Sequence, residues 1–410
     1  MVLSKKKILI LSLYYHPDIG PGAFRIKSII ESLRKNKIDE INLITTYPFR
    51  YPDYKISYEN LRLLDKLSSK NYDKYTYDNL NIYRIKLKAH DNTMFSQINS
   101  YIKFFFYSLI ISKKINPDLV FATSGRLMTA FTAYLISIYQ KSKLIVEYRD
   151  IFSYGIKNHN FFKLRILNKF FSKIFLKIEN IIIKKSIKVN FVSEEFKNYY
   201  NVKFNEKFKF YPNGIDEDFL NYNFKNNNSS RNNILYVGNI GEAQNLHIFL
   251  PAFANLLPID SKIKINVFGS GGGKKSLLNA IINKNITNIK VQNPIPKIQL
   301  LNIYKKSDIL LINLADKDVF TSVIPSKIYE YIITKKPILI GCKGEVEKFK
   351  KYSPNLFFFN PSDPQSAIDA LRKINNFEQK PFNYKDFKQK FSRENISNLI
   401  SKDIYNSLNY

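Results

Sequence analysis

Short, almost purely apolar runs punctuate the chain, and most are followed by a stretch whose apolar residues recur three and four apart. Lys7 to Leu13 (KILILSL), Ile41 to Thr45, Asn81 to Leu87, Asp118 to Thr123, Leu144 to Glu147 and Lys188 to Val192 predict strands buried on both faces of a parallel sheet, the last of them closing it. Helical spacing runs through Ile26, Ile29, Ile30 and Leu33, over Phe95 to Lys114, and over Leu127 to Tyr139. Tyr47 to Asn79, rich in Tyr, Lys and Asp, has no clear period and reads as an excursion that touches substrate.

Asn221 to Asn233 contains the polar run KNNNSSRNN and predicts a linker, after which the pattern restarts. Strands at Ile234 to Val237, Ile263 to Phe268, Ile289 to Gln292, Asp308 to Leu314, Pro337 to Gly341 and Asn355 to Phe359 are interleaved with helices. Such alternation predicts an α/β fold of two Rossmann-like, doubly wound parallel-sheet domains facing a cleft. The expected bounds are 1–220, a linker at 221–233, a second domain at 234–380, and a terminal helix at 381–410 packing back towards the first. Ligands of these sheets bind beyond the carboxyl ends of strands, where the loop with Pro17, Gly20, Pro21 and Gly22 and the turn Tyr148-Arg149-Asp150 would lie.

Phe161 to Lys185 has a helical row at Leu164, Leu167, Phe171, Ile174, Phe175, Ile178 and Ile182, expected to pack on the sheet. Beside it Arg165, Lys169, Lys173 and Lys177 form a slanting basic stripe, and Phe161, Phe162 and Phe170 add aromatic load. We read the stripe as a surface for an anionic membrane.

Composition sharpens this little. The 410 residues suffice for two cores, and the formal charge of +30 comes with an excess of Asn, Ile, Tyr and Phe that AT-rich codons would produce. The charge still predicts attraction to anionic partners, but with no arginine-rich tract a nucleic-acid partner is not expected. The single cysteine, Cys342, excludes an internal disulfide and suits a reducing compartment. The apolar runs Ile8 to Tyr15 and Phe104 to Ile111 are too short to cross a bilayer, so a cytoplasmic, peripheral protein is expected.

The stretch Val323 to Tyr331 (VIPSKIYEY) sets Pro325 and Ser326 at the start of a helical run, with Lys327 and Glu330 one turn apart. It reads either as an anion site beside a carboxylate that accepts vicinal hydroxyls, or as a Pro-capped helix with a solvated ion pair.

Other segments join it in order and spacing: Tyr14 to Gly20 (YYHPDIG) with Arg25, Glu147-Tyr148-Arg149-Asp150, Pro212 to Asp216 (PNGID), Val237 to Gly241 (VGNIG) with Gln244, and Phe268-Gly269-Ser270-Gly271. With Pro325-Ser326-Lys327 and Glu330, this set resembles the GT-B glycosyltransferases, in particular the retaining family 4 enzymes of bacterial polysaccharide assembly. The resemblance implies a nucleotide-sugar donor of the UDP type and a glycan or lipid-linked glycan acceptor at the inner face of the cytoplasmic membrane. By it Glu330 holds the ribose, Ser326 and Lys327 meet the diphosphate, and Gly20, Gly238, Asn239, Gln244, Gly269, Ser322 and Pro325 complete the donor site. His16 and Asp150 fall on the acceptor side, and Arg149 and Lys327 are the catalytic cations.

The sequence departs from the family pattern in three places. Ser322 stands where an acidic residue is common, Asn239 and Gln244 stand where Arg and Lys are common, and Pro21 replaces a loop glycine. Asp318, or the amides of Thr321 and Ser322, would then serve the donor sugar. Arg149 and Asp150 read equally as an ion pair at a strand end.

No cofactor is expected, and the transfer is read as metal-independent. The triplet Asp316-Lys317-Asp318 carries a competing cation between its carboxylates, and Asp216-Glu217-Asp218 sits in the turn leaving the first domain. Two other readings remain open, a sugar-nucleotide epimerase or hydrolase on the same fold, and a non-enzymatic protein that binds anionic lipid or nucleic acid.

Overall fold

A computed structural model of the protein describes residues 5–18, 20–36, 38–48, 65–87, 94–125, 127–158, 165–203, 205–225, 231–258, 261–378, 382 and 384–409. It divides into two compact units, residues 1–214 with 393–410, and residues 215–392.

The first unit is built on a nine-stranded sheet in the order β3-β4-β5-β2-β1-β6-β7-β8-β9. Its strands are β1 (Lys7–Leu11), β2 (Glu40–Thr46), β3 (Asp65–Ser68), β4 (Tyr72–Tyr77), β5 (Leu80–Ile85), β6 (Leu119–Ser124), β7 (Lys143–Tyr148), β8 (Lys188–Phe191) and β9 (Phe208–Phe210). All pairings are parallel except β3 with β4 and β4 with β5.

The helices α1 (Pro21–Lys35), α2 (Met94–Ile115), α3 (Leu127–Tyr139), α4 (Phe152–Asn158) and α5 (Arg165–Lys185) follow in chain order. One face of the sheet buries Leu9, Leu11, Val120 and Val146 against α2, α3 and α5, through Phe104, Ala130 and Ile182 among others. The other face buries Ile8, Ile10, Phe121 and Ile145 against α1 and the terminal helix Arg393–Asn409, through Ile26, Ile29, Ile396 and Ile400. Strict alternation of inward side chains along each strand makes both cores possible from one sheet.

The second unit has six parallel strands in the order β12-β11-β10-β13-β14-β15. They are β10 (Asn233–Asn239), β11 (Lys264–Ser270), β12 (Ile289–Gln292), β13 (Ile309–Asn313), β14 (Ile338–Gly341) and β15 (Leu356–Phe358). This is the doubly wound order, and its strand order reverses between β10 and β13.

Several expectations change. Tyr47 to Asn79 is no structureless excursion: within it β3 and β4 form a hairpin that extends the sheet edge, while 49–64 lies outside the described residues. β9, beyond β8, closes the other edge. The two units divide between Gly214 and Ile215, ahead of the expected 221–233 segment, because Ile215, Phe219 and Phe224 are core residues of the second unit. The second unit likewise runs on to Ser392, past residue 380, and only the helix from Arg393 belongs to the first.

α5 is rotated from its expected setting. Leu167 and Ile174 are exposed, while Asn168, Ser172 and Glu179 are buried, because the helix turns hydrogen-bonding groups towards α4. Phe161, Phe162 and Leu164 lie outside the described residues.

Candidate functional site

In the first unit, the loops from β1, β6 and β7 leave carboxyl strand ends on either side of the β1/β6 reversal. Gly20 immediately precedes α1, and its carbonyl accepts the Phe24 amide at 3.1 Å. Arg149 lies against the first turn of this helix, since a Cβ added at Gly22 would stand 2.2 Å from its Nη1. A side chain at this position would displace the Arg149 guanidinium, a feature hidden in the sequence behind Pro21. Asp150 is exposed near Gly125. His16 is half-buried, and burial, then Lys27 and Arg84, hold its imidazole below the ordinary range, so it is neutral at pH 7.

Two further motif residues have a different role. Arg25 lies inside the unit, donating from Nε and Nη2 to the Glu147 carboxylate at 2.9 and 2.7 Å. Its Nη1 donates to the Pro212 carbonyl at 2.6 Å and its Nη2 to that of Tyr211 at 2.8 Å. Thr123 Oγ1 adds a bond to Glu147 at 2.9 Å. Every strong group here is satisfied within the protein, so this cluster fastens α1 to β7 and to the chain leaving β9.

Glu179 secures the segment after Arg149-Asp150. Its Oε1 accepts the Phe152 and Ser153 amides at 3.2 and 3.4 Å, and its Oε2 accepts from Ser153 Oγ. Burial pushes this carboxyl up to about 7, although those hydrogen bonds pull the other way.

In the second unit the predicted donor residues lie at the carboxyl ends of the adjacent strands β11 and β10, in the loops that follow β10 and β13, and on the helix after β13. A Cβ at Gly269 would stand 2.0 Å from the Gly238 carbonyl oxygen, so β10 and β11 approach at their carboxyl ends only because glycine is there. Asn239 Nδ2 donates to Gln244 Oε1 at 2.9 Å, and the Gly241 amide donates to the same oxygen at 3.1 Å. Asn239 and Gln244 therefore shape the loop as a neutral pair. Asn313 Nδ2 donates to the Gln244 carbonyl at 2.9 Å, and the Ala315 amide to that of Ala243 at 2.9 Å, joining the two loops at the strand-order reversal.

Ser322 is half-buried in the turn before Pro325, its Oγ 3.4 Å from the Val319 carbonyl. The helix that follows spans Lys327–Ile333, with Ser326 as its N-cap and Pro325 just ahead of it. Lys327 Nζ donates to Glu330 Oε2 at 2.8 Å and to Tyr304 Oη at 3.1 Å, and Tyr304 Oη donates to the same carboxylate oxygen at 2.9 Å. Tyr304 is the residue the sequence did not point to: in Lys297–Lys306 it has the spacing of a core residue, and only its hydroxyl reaches the site. Burial, then Glu330, raise it well above the ordinary phenol range, so it stays a donor. Glu330 Oε1 accepts no hydrogen bond among the described residues.

Both acidic triplets are engaged by lysines. Lys297 Nζ lies 2.8 Å from Asp216 and 3.0 Å from Asp218. Lys343, rather than the neighbouring Lys317, pairs with Asp316 at 2.7 Å, and with Ser362 it holds this carboxyl below its ordinary value.

Residues 219–391 match the family model for Glycosyl transferases group 1. Comparison with curated proteins gives no sequence match. Solved structures share the fold at low identity. Sucrose-phosphate synthase from Thermosynechococcus elongatus has a TM-score of 0.72 at 13% identity, over 98% of this chain and 99% of that one. Anabaena Alr3699/HepE in complex with UDP gives 0.63 at 14%, over 98% and 100%. WaaG, a glycosyltransferase involved in lipopolysaccharide biosynthesis, gives 0.60 at 12%, over 98% and 97%. No described helix is long and apolar enough to cross a membrane. The second unit is thus a glycosyl transferases group 1 domain in a chain of GT-B fold, and the protein is a glycosyltransferase.

Proposed function

We propose that the protein transfers a sugar from a UDP-linked donor to a growing, lipid-linked surface glycan, with retention of configuration and without a divalent metal. The observation that carries this reading is the Tyr304–Lys327–Glu330 cluster of the group 1 domain, in which Tyr304 is buried and Lys327 and Glu330 are partly exposed. Glu330 Oε2 is fixed by Lys327 and Tyr304, which leaves Oε1 to accept the ribose hydroxyls. Lys327, with Ser326 beside it, faces the diphosphate. Gly238, Asn239, Gln244 and Gly269 shape the loops around it, and Ser322 and Pro325 the turn before it.

In the transfer, the bond from the anomeric carbon to the diphosphate oxygen breaks and one to the acceptor hydroxyl oxygen forms on the same face. The acceptor proton passes to the departing diphosphate, so the protein needs no strong base, only charge to meet the leaving group and orientation for the acceptor. Lys327 supplies the first, and Arg149, seated on Gly22, is the cation that the first unit offers. His16, neutral at pH 7, and Asp150 are assigned to the acceptor. A lipid-linked acceptor is met at a surface, and the exposed Lys169, Lys173 and Lys177 suit the anionic inner face of the cytoplasmic membrane.

Incubation with UDP-sugars, with and without acceptor lipid, tests the reading. Product that forms only with acceptor supports it; release of free sugar or of an epimer without acceptor replaces it with hydrolysis or epimerisation.

A further inference from the structure

α2, α3 and α5 form one layer on the first unit's sheet, α3 packing against both neighbours and Phe105 of α2 stacking on Phe131 of α3 with ring centroids 6.5 Å apart. The outer side of this layer is unusual for a soluble surface. Along α2, Ile98, Ile102, Phe106 and Ile110 follow one another at every fourth position and are 42%, 48%, 57% and 48% exposed. They make a continuous apolar row about 18 Å long. Along α5, Ile166, Phe170 and Ile174 repeat the same spacing at 78%, 58% and 38%. Soluble surfaces carry exposed apolar residues singly; two rows on one layer mark an interaction face.

The charges on this layer select the partner. The three helices contain eight lysines and Arg165, and a single acid, Glu179, which is fully buried. A shallow cavity of about 360 Å³ along α5 is lined by Lys173, Lys177 and Lys184 together with Leu176, Asn180 and Ile181, a mixed apolar and cationic surface. The opposite layer carries acids beside its bases, with Lys27 on Glu31, Lys35 on Glu394, and Asp403 meeting Lys188 of β8. A second copy docked on this face by a two-fold axis would set lysines against lysines. An anionic bilayer satisfies both features, since apolar rows enter the acyl boundary while lysines reach the headgroups.

We propose that the outer face of α2, α3 and α5 inserts into the anionic leaflet, the α2 row entering the acyl boundary, so that the membrane is gripped by apolar side chains as well as attracted by charge. This rests on the reading that the protein works at an anionic membrane and extends it from a basic stripe to a three-helix insertion face.

The test uses the full chain with vesicles of phosphatidylcholine and phosphatidylglycerol. The chain has no tryptophan, so Phe106→Trp provides a single reporter. Its emission is expected to shift to the blue on vesicle addition and to be quenched by lipids brominated near the headgroup end of the acyl chain. Vesicle binding by the unsubstituted protein should persist in molar salt, which screens charge but not apolar contact. Ile102→Asp with Phe106→Asp should lower the salt-resistant partitioning at least about tenfold; unchanged UDP affinity would show the fold to be intact. Binding at low salt that vanishes in molar salt, with no shift in Trp emission and no effect of the two aspartates, overturns insertion and leaves the charge-driven membrane reading standing. No vesicle binding at any salt overturns the membrane reading itself, and a dimer abolished by the aspartates would assign the face to a second copy instead.

Discussion

Two ion pairs formed by motif residues differ in what the structure leaves open around them. Arg25 and Glu147, at 1% and 0% side-chain exposure, form a bidentate pair whose remaining donors end on backbone carbonyls. Lys327 and Glu330, at 25% and 16%, share one carboxylate oxygen with Tyr304 and leave the other open. The first pair has no bonding capacity left and serves the fold; the second keeps one carboxylate oxygen open, the one that our proposal gives to the nucleotide. Proximity of opposite charges did not separate them, whereas the count of satisfied hydrogen-bonding groups did.

The largest expected effect breaks the closed pair. Arg25→Ala leaves a buried carboxylate without its cation and two carbonyls without its donors, and should cost the first unit about 3 to 5 kcal/mol, read by denaturant unfolding. A loss no larger than that of a surface pair would mean that the cluster is not closed.

A third carboxylate extends the comparison, because Glu179 is as buried as Glu147 but has hydrogen bonds rather than a cation. Its folded value of about 7 lies above the ordinary carboxylate value of 4.5, so the native state holds a proton that the unfolded state has lost between those values. Stability should therefore fall as pH rises from about 4.5 to about 7, by about 3 kcal/mol from this group, and level off above. Glu179→Gln should flatten that segment of the profile of Tm against pH, and an identical profile would remove Glu179 as its source.

Within the open pair, Tyr304→Phe deletes one bond to Glu330 and keeps the ring. UDP affinity should drop by about 1 kcal/mol, as for a single hydrogen bond, with the second unit's melting little changed.

The smallest effect concerns the partly exposed pair of Asp316 and Lys343. Asp316→Asn should change stability by no more than about 0.5 kcal/mol and leave turnover in excess EDTA intact. Activity lost in EDTA and restored by manganese, together with an inactive Asp316→Asn, would assign the triplet to a metal.

Much of the fold was legible because buried parallel strands are written as continuous apolar runs. β10 to β15 lie where those runs fall, and so do β1, β2 and β5 to β8. The hairpin of β3 and β4 was not legible: β4 (Tyr72–Tyr77) sets Asp73 beside Tyr75 on its buried face and Lys74 on the other, so its composition resembles a loop although its burial alternates as a strand's does. The α5 setting was misread because a hydropathy period cannot anticipate that Asn168, Ser172 and Glu179 have partners inside. Lys327 and Glu330 were legible from their spacing one turn apart, whereas Tyr304 and Lys343 were not, since their contacts depend on chain folding over 23 and 27 residues of separation.

The most direct test of the donor site is calorimetry of UDP binding to the unsubstituted protein and to Glu330→Ala, with unfolding curves to verify that both are folded. Loss of the open carboxylate should weaken binding by about 1.5 to 3 kcal/mol, the range for a hydrogen bond to a charged group. Equal affinities in two folded proteins would contradict the assignment of Glu330 to the nucleotide and, with it, the role given to Lys327.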